Sequence, residues 1–141
     1  MNNIIQVEKF CEDRNLQFTK IRKDVYELIF KSSIPLKAYD LLETLKNTHR
    51  SAKPITIYRA LDFLLENKLI HKLPSQSTYF RCDHPADNHD CYFIICNQCH
   101  EIEEGCKDDL LKSIFTSLGS KISSVSNISL EIYGTCRKCH C

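Results

Sequence analysis

At 141 residues and 43% hydrophobic content, the chain suits one ordinary domain or two small ones and is too apolar to be disordered. No run approaches the ~20 apolar residues that span a bilayer. Residues 1–7 also lack the basic-then-apolar pattern of a signal peptide, so the sequence predicts a cytoplasmic protein with no membrane partner. Its net charge of +1 hides an asymmetry: residues 1–83 carry 14 Lys/Arg against 10 Asp/Glu, and residues 84–141 carry 5 against 8.

In chain order, residues 3–13 form a short amphipathic stretch. Thr19 is placed as the N-cap of a second helix, in which Ile21, Val25, Leu28 and Ile29 recur at helical spacing. Pro35 breaks the chain. Ala38, Leu41, Leu42 and Leu45 then mark a third helix ending near Asn47. A fourth begins at Pro54, a residue favoured in a first turn. It has Ile57, Leu61, Leu64 and Leu65 as its buried stripe, Arg59, Asp62 and Glu66 on the opposite face, and Tyr58 at the boundary. Two β-like runs, 69–73 and 78–82, flank a turn at 74–77. Three or more helices followed by a hairpin is the order of a winged helix, a helix-turn-helix variant that places one helix in the major groove of DNA. The second half reads as a strand over 91–96, a helix over 108–118 with Leu110, Leu111, Ile114 and Leu118 in register, and one or two strands within 122–133. The predicted fold is α+β: a winged-helix DNA-binding domain over 1–83 and a small C-terminal α/β metal-binding domain over 84–141.

Nine cysteines in a chain without an export signal point to metal or redox use of thiols rather than structural disulfides. Cys96/Cys99 and Cys136/Cys139 form two Cys-x-x-Cys pairs, whose four thiolates complete a closed tetrahedral zinc site of the structural kind. With 36 residues between the pairs, such a site clips the C-terminal tail onto the start of the second domain. His140 and Cys141 are spare donors, and Cys141 is an alternative to Cys139. A thioredoxin-like redox role fits poorly with Asn97-Gln98 and Arg137-Lys138 inside the pairs. Cys11, Cys91 and Cys106 read as small buried hydrophobes.

A second donor set spans the boundary between the halves: His71, Cys82, His89 and Glu104. One thiolate, two imidazoles and a carboxylate suit a four-coordinate zinc. Filling a site built from both halves fixes the angle between them, which makes it a switch.

The run Ile55-Thr56-Ile57-Tyr58-Arg59-Ala60-Leu61, then His71, then Cys82-x-His84-Pro85, then His89-x6-Cys96-x-x-Cys99 resembles the ferric-uptake-regulator family over nearly the whole chain. The zinc-uptake branch is the nearest match. The histidine-rich run of iron-sensing members is largely missing, since Asn88-His89-Asp90-Cys91 stands there. The resemblance implies a dimeric, metal-dependent repressor with a C-terminal dimerisation domain and two zinc ions per chain. Cys96, Cys99, Cys136 and Cys139 match its structural ligands, and His71, Cys82, His89 and Glu104 its regulatory ones. It also implies a homodimer on double-stranded operator DNA, no small organic substrate and no catalysis. Tyr58, Arg59 and Thr56 would lie at the base-reading end of the fourth helix, with Tyr39 as a further DNA contact and Lys20, Arg22, Lys23 and Lys37 on phosphates. The competing readings are a regulator of the same family answering iron, manganese, nickel or peroxide, and, from another class, a thiol-disulfide oxidoreductase.

Overall fold

A computed structural model describes residues 4–85, 91–106, 109–125 and 128–140. The chain divides into two compact units, Met1–Asp87 and Asn88–Cys141; from sequence, the boundary falls at 83/84.

The first unit is built on helical stripes that converge on one core. Helix α1 (Ile4–Asp13) buries Val7, Phe10 and Cys11, and α2 (Lys20–Lys31) buries Val25, Tyr26 and Ile29. Thr19 occupies the N-cap position of α2 with extended backbone, but its hydroxyl makes no capping bond. Short strand β1 (Leu36–Lys37) leads directly into α3 (Ala38–Leu45), whose four apolar residues Ala38, Leu41, Leu42 and Leu45 are all buried. The Asp40 carboxylate accepts the Lys37 backbone N–H at 3.4 Å and so satisfies one orphan donor at that helix start. Helix α4 (Pro54–Glu66) buries Ile57, Ala60, Leu61 and Leu64, and leaves Arg59, Asp62 and Glu66 exposed. Leu61 is fully buried. Its truncation to alanine would cost about 2–5 kcal/mol, the transfer loss plus the cavity left behind.

The wing consists of β2 (Ile70–Leu73) and β3 (Thr78–Arg81), antiparallel, with His71 opposite Phe80. Pro74 opens the connecting turn, and Ser77 closes it in the left-handed region at φ 51°. Strand β1 pairs with the other side of β3, giving the order β1-β3-β2. The sequence signalled only a break at Pro35, because a two-residue strand carries no readable alternation.

The second unit is a three-stranded sheet ordered β5-β4-β6. Strand β4 (Cys91–Cys96) pairs antiparallel with β5 (Ile102–Cys106) and parallel with β6 (Leu130–Gly134). A parallel pair needs a crossover, and α5 (Asp109–Leu118) with the 3-10 turn Gly119–Lys121 lies in that connection. Two expectations change here. The sequence of β5, with Glu103, Glu104 and Gly105, gave no strand signal. Within 122–133 regular strand begins only at Leu130. The expected start of α5 at Asp108 lies outside the described residues.

Of the apolar stripe on α5, only Leu111 is buried, and Leu110 and Phe115 are exposed. Ile94, Ile132 and Tyr133 on the sheet are also exposed. Among the described residues, this unit therefore carries exposed apolar side chains on both its helix and its sheet. Among the described residues, no helix is long and apolar enough to cross a membrane.

Candidate metal centres and nucleic-acid interface

Both Cys-x-x-Cys pairs adopt the same tight turn. The His100 backbone N–H donates to the Cys96 carbonyl at 3.0 Å, and the Cys139 and His140 N–H groups donate to the Cys136 carbonyl at 3.0 Å each. The parallel β4–β6 register sets Cys96 opposite Gly134, and the Asn97 N–H donates to the Gly134 carbonyl at 2.8 Å. The first pair thus leaves the end of β4 just where the chain leaves β6 toward the second. All four sulfurs lie within 4.8 Å of one another, with Cys99 Sγ 3.8 Å from Cys136 Sγ. A tetrahedral zinc with Zn–S bonds of ~2.3 Å has sulfur–sulfur edges of ~3.8 Å, so the donor set fits that ion. Backbone N–H groups, first that of Cys136 and then those of Cys99 and Gln98, lower the Cys96 thiol to about 6. The Cys136 and Gln98 donors stand 3.4 Å from its sulfur. Cys139 is instead pushed up to about 12, chiefly by the neighbouring Cys136 thiol. Four crowded thiols with opposed tendencies need a cation if all are to ionise. Lys138 Nζ, 3.3 Å from Glu101 Oε2, ties the second turn to the strand after the first.

Three members of the second donor set lie among the described residues, His71 and Cys82 in the first unit and Glu104 in the second. His71 lies on β2 and the buried Cys82 directly follows β3, with their ligand atoms within 4.8 Å of each other. The His71 ring packs on Phe80, centroids 5.4 Å apart. Glu104 lies on β5 of the second unit. His89 lies outside the described residues, as does Cys141.

Of the three cysteines read as inert, Cys11 is buried in the first unit's core, and burial raises its thiol pKa. Cys91 and Cys106 behave differently. Both donate to Glu104 Oε1, at 2.9 and 3.0 Å, and their sulfurs are 2.8 Å apart. Burial, followed by the bonds to Cys106 and Glu104, pushes the Cys91 thiol far up. The sequence hid this cluster because its partner strand β5 was not recognisable.

In the first unit, Tyr39 at the start of α3 and Tyr58 on α4 are 68% and 47% exposed. They rim a groove of about 120 Å³ with Ala38, Leu42, Pro54 and Ile57. Arg59 is exposed on the same helix, as are Lys20 on α2 and Lys37 on β1. Thr56 is already occupied, since its hydroxyl accepts the Lys53 backbone N–H at 3.3 Å. Arg22 and Lys23 also have internal partners. The Arg22 guanidinium lies 3.9 Å from the Phe63 ring centroid and donates to the Gln17 carbonyl, and Lys23 Nζ pairs with Glu8 at 2.5 Å. Ile55, 55% exposed in the first turn of α4, is an apolar contact candidate that the sequence reading passed over. Its position outside the buried stripe was the available signal.

A winged helix joined to a small sheet unit with a four-thiol metal centre defines a class of metal-linked DNA-binding protein. Residues 13–133 match the Ferric uptake regulator family, and the chain belongs to it. It is similar to the Zinc uptake regulation protein of Escherichia coli (strain K12), 35% identical over 140 residues that cover 96% of this chain and 80% of that protein. Among solved structures it is similar to a zinc uptake regulator complexed with zinc and DNA, at 34% identity and TM-score 0.87, covering 97% of this chain and 92% of that one. Holo XcZur is similar too, at 35% identity and TM-score 0.86, covering 97% and 96%.

Proposed function

We propose that this chain is a zinc-responsive transcriptional repressor, not an enzyme, which binds double-stranded operator DNA as a homodimer in the cytoplasm and controls zinc-uptake genes. The observation that carries the reading is the imidazole and thiol of His71 and Cys82, held within 4.8 Å of each other on the wing of a winged helix. Metal donors on the reading unit itself give an ion direct purchase on DNA binding. Each chain takes two zinc ions. One sits in the structural site of Cys96, Cys99, Cys136 and Cys139, and one in a regulatory site of His71, Cys82, His89 and Glu104. The regulatory ion draws donors from both functional domains, 1–83 reading DNA and 84–141 dimerising, and so restrains the hinge that joins them. A thiolate at Cys82 favours a borderline ion such as Zn²⁺ over Fe²⁺. A metal that prefers the DNA-competent arrangement raises DNA affinity by the same factor that DNA raises metal affinity.

The homodimer is supported by the uncovered apolar residues of α5 and the sheet, including Leu110, Phe115, Ile132 and Tyr133. The DNA face comprises Tyr39, Thr56, Tyr58 and Arg59 for the bases, with Lys20 and Lys37 on phosphates. Arg22 and Lys23 join that face only if their internal partners release them.

Fluorescence anisotropy of labelled zinc-uptake promoter DNA, titrated at buffered free Zn²⁺ and separately Fe²⁺, tests the reading. Tight binding that appears with Zn²⁺ at far lower free concentration than with Fe²⁺ supports it. Equal responses, or a preference for Fe²⁺, would contradict it.

A further inference from the structure

We propose that Cys91 and Cys106 are a redox-sensitive dithiol that closes to a disulfide across strands β4 and β5 and thereby removes the two thiol hydrogen bonds to Glu104. The register places Cys91 directly opposite Cys106 in an antiparallel pair. Residues so paired have Cα atoms ~4.5–5.5 Å apart, inside the ~4.4–6.8 Å range that a disulfide spans. The sulfurs already stand 2.8 Å apart, within an ångström of the ~2.05 Å bond, so closure needs no change of strand pairing. Cys91 is buried and Cys106 is half-buried. A small oxidant therefore meets Cys106 first, and Cys91 is its resolving partner.

With a hydroperoxide as oxidant, Cys106 sulfur takes the terminal oxygen, the O–O bond breaks, and an alcohol (water, from hydrogen peroxide) leaves with the thiol proton. Cys91 sulfur then attacks the sulfenic sulfur. The S–S bond forms, the S–O bond breaks, and the hydroxyl leaves as water with the second thiol proton. Two thiols are oxidised by two electrons in all and one O–O bond is reduced.

In the dithiol both S–H groups donate to the same oxygen, Glu104 Oε1. A disulfide has no S–H, so both bonds vanish together. The effect on metal rests on the regulatory site proposed above, in which Glu104 is a ligand. Loss of the groups that orient a ligand commonly costs ~10–100-fold in metal affinity, so oxidation should move zinc-dependent DNA binding to at least ~10-fold higher free zinc.

The full-length, zinc-loaded protein is exposed to graded hydrogen peroxide, its remaining thiols are alkylated, and it is digested without reduction for mass spectrometry. A chromogenic chelator reports zinc release in parallel. The expected result is a Cys91–Cys106 linked peptide pair that appears before zinc leaves the four-thiol centre and disappears on treatment with dithiothreitol. In Cys91→Ser that pair is absent, and a Cys106 sulfenic acid is trapped by dimedone. Disulfides confined to Cys96, Cys99, Cys136 and Cys139, with Cys91 and Cys106 still alkylatable when zinc is lost, would overturn the proposal. Operator binding against buffered zinc is then compared for reduced and oxidised protein. A reduced protein with no zinc response would defeat the functional reading and leave the disulfide standing. A zinc-responsive reduced protein whose curve does not move on forming the disulfide would refute the link to Glu104.

Discussion

Gly105 is held by the ring that lies on it. A Cβ built there would sit 2.2 Å from Cζ of Tyr92, its cross-strand partner. Gly105→Ala must displace that ring, at a cost of about 1–3 kcal/mol, and thermal unfolding should show it. Adding Tyr92→Ala should recover part of the loss, because the two sites share one contact; purely additive losses would mean that the ring is not the obstacle. On the DNA face, Arg59→Ala should cost about 1–3 kcal/mol at the operator and relax discrimination at one base pair. Lys20→Ala should weaken all DNA sequences alike and lower the salt slope by about one. Arg22→Ala belongs to a different class: its guanidinium packs on Phe63, so the loss should appear in stability as well as in binding. Anisotropy at several salt concentrations, with urea unfolding of the same variants, separates the three.

At the level of elements, the two β–turn–thiol segments depend on each other. Strand β6 carries no metal ligand, yet its parallel pairing with β4 brings the two Cys-x-x-Cys turns together. The zinc energy of such a site is largely folding energy, on the order of 10 kcal/mol. Cys96→Ser should therefore lose a tightly held zinc and unfold or dissociate the second unit. Metal analysis with analytical ultracentrifugation checks this, and a stable dimer that keeps two zinc ions would contradict it. Elements with strong periodicity were readable. The four apolar positions of α3 and the Pro54 start of α4 follow from a 3.6-residue repeat and from proline's fixed φ. Strand β5 was not readable, because Glu103, Glu104 and Gly105 have poor strand propensity. It is a strand by virtue of its pairing with β4. The pairing of Cys91 with Cys106 was hidden for the same reason. The cysteine spacing pointed to the four thiols that the fold brings within 4.8 Å of one another, because Cys-x-x-Cys is a local pattern, but it left Cys141 as an alternative to Cys139. The stripe on α5 was visible too, but pattern alone does not say what covers it.

For the molecule as a whole, the charge asymmetry seen in the sequence separates the two halves. The basic half contains the winged helix, and the acidic half contains the four-thiol centre. In the proposed function, zinc at His71, Cys82, His89 and Glu104 governs DNA binding without being needed to build either core. Cys82 lies just past the end of β3, buried but outside the cluster of residues that forms the helical core. The most direct measurement is operator affinity of wild-type and Cys82→Ser protein across buffered free zinc, with zinc content and dimer mass recorded on the same samples. Cys82→Ser should remain a folded dimer holding its four-thiol zinc, and should gain no operator affinity when zinc is raised. A Cys82→Ser protein whose DNA binding still rises with zinc as the wild type does, and fails only when the protein unfolds, would contradict it.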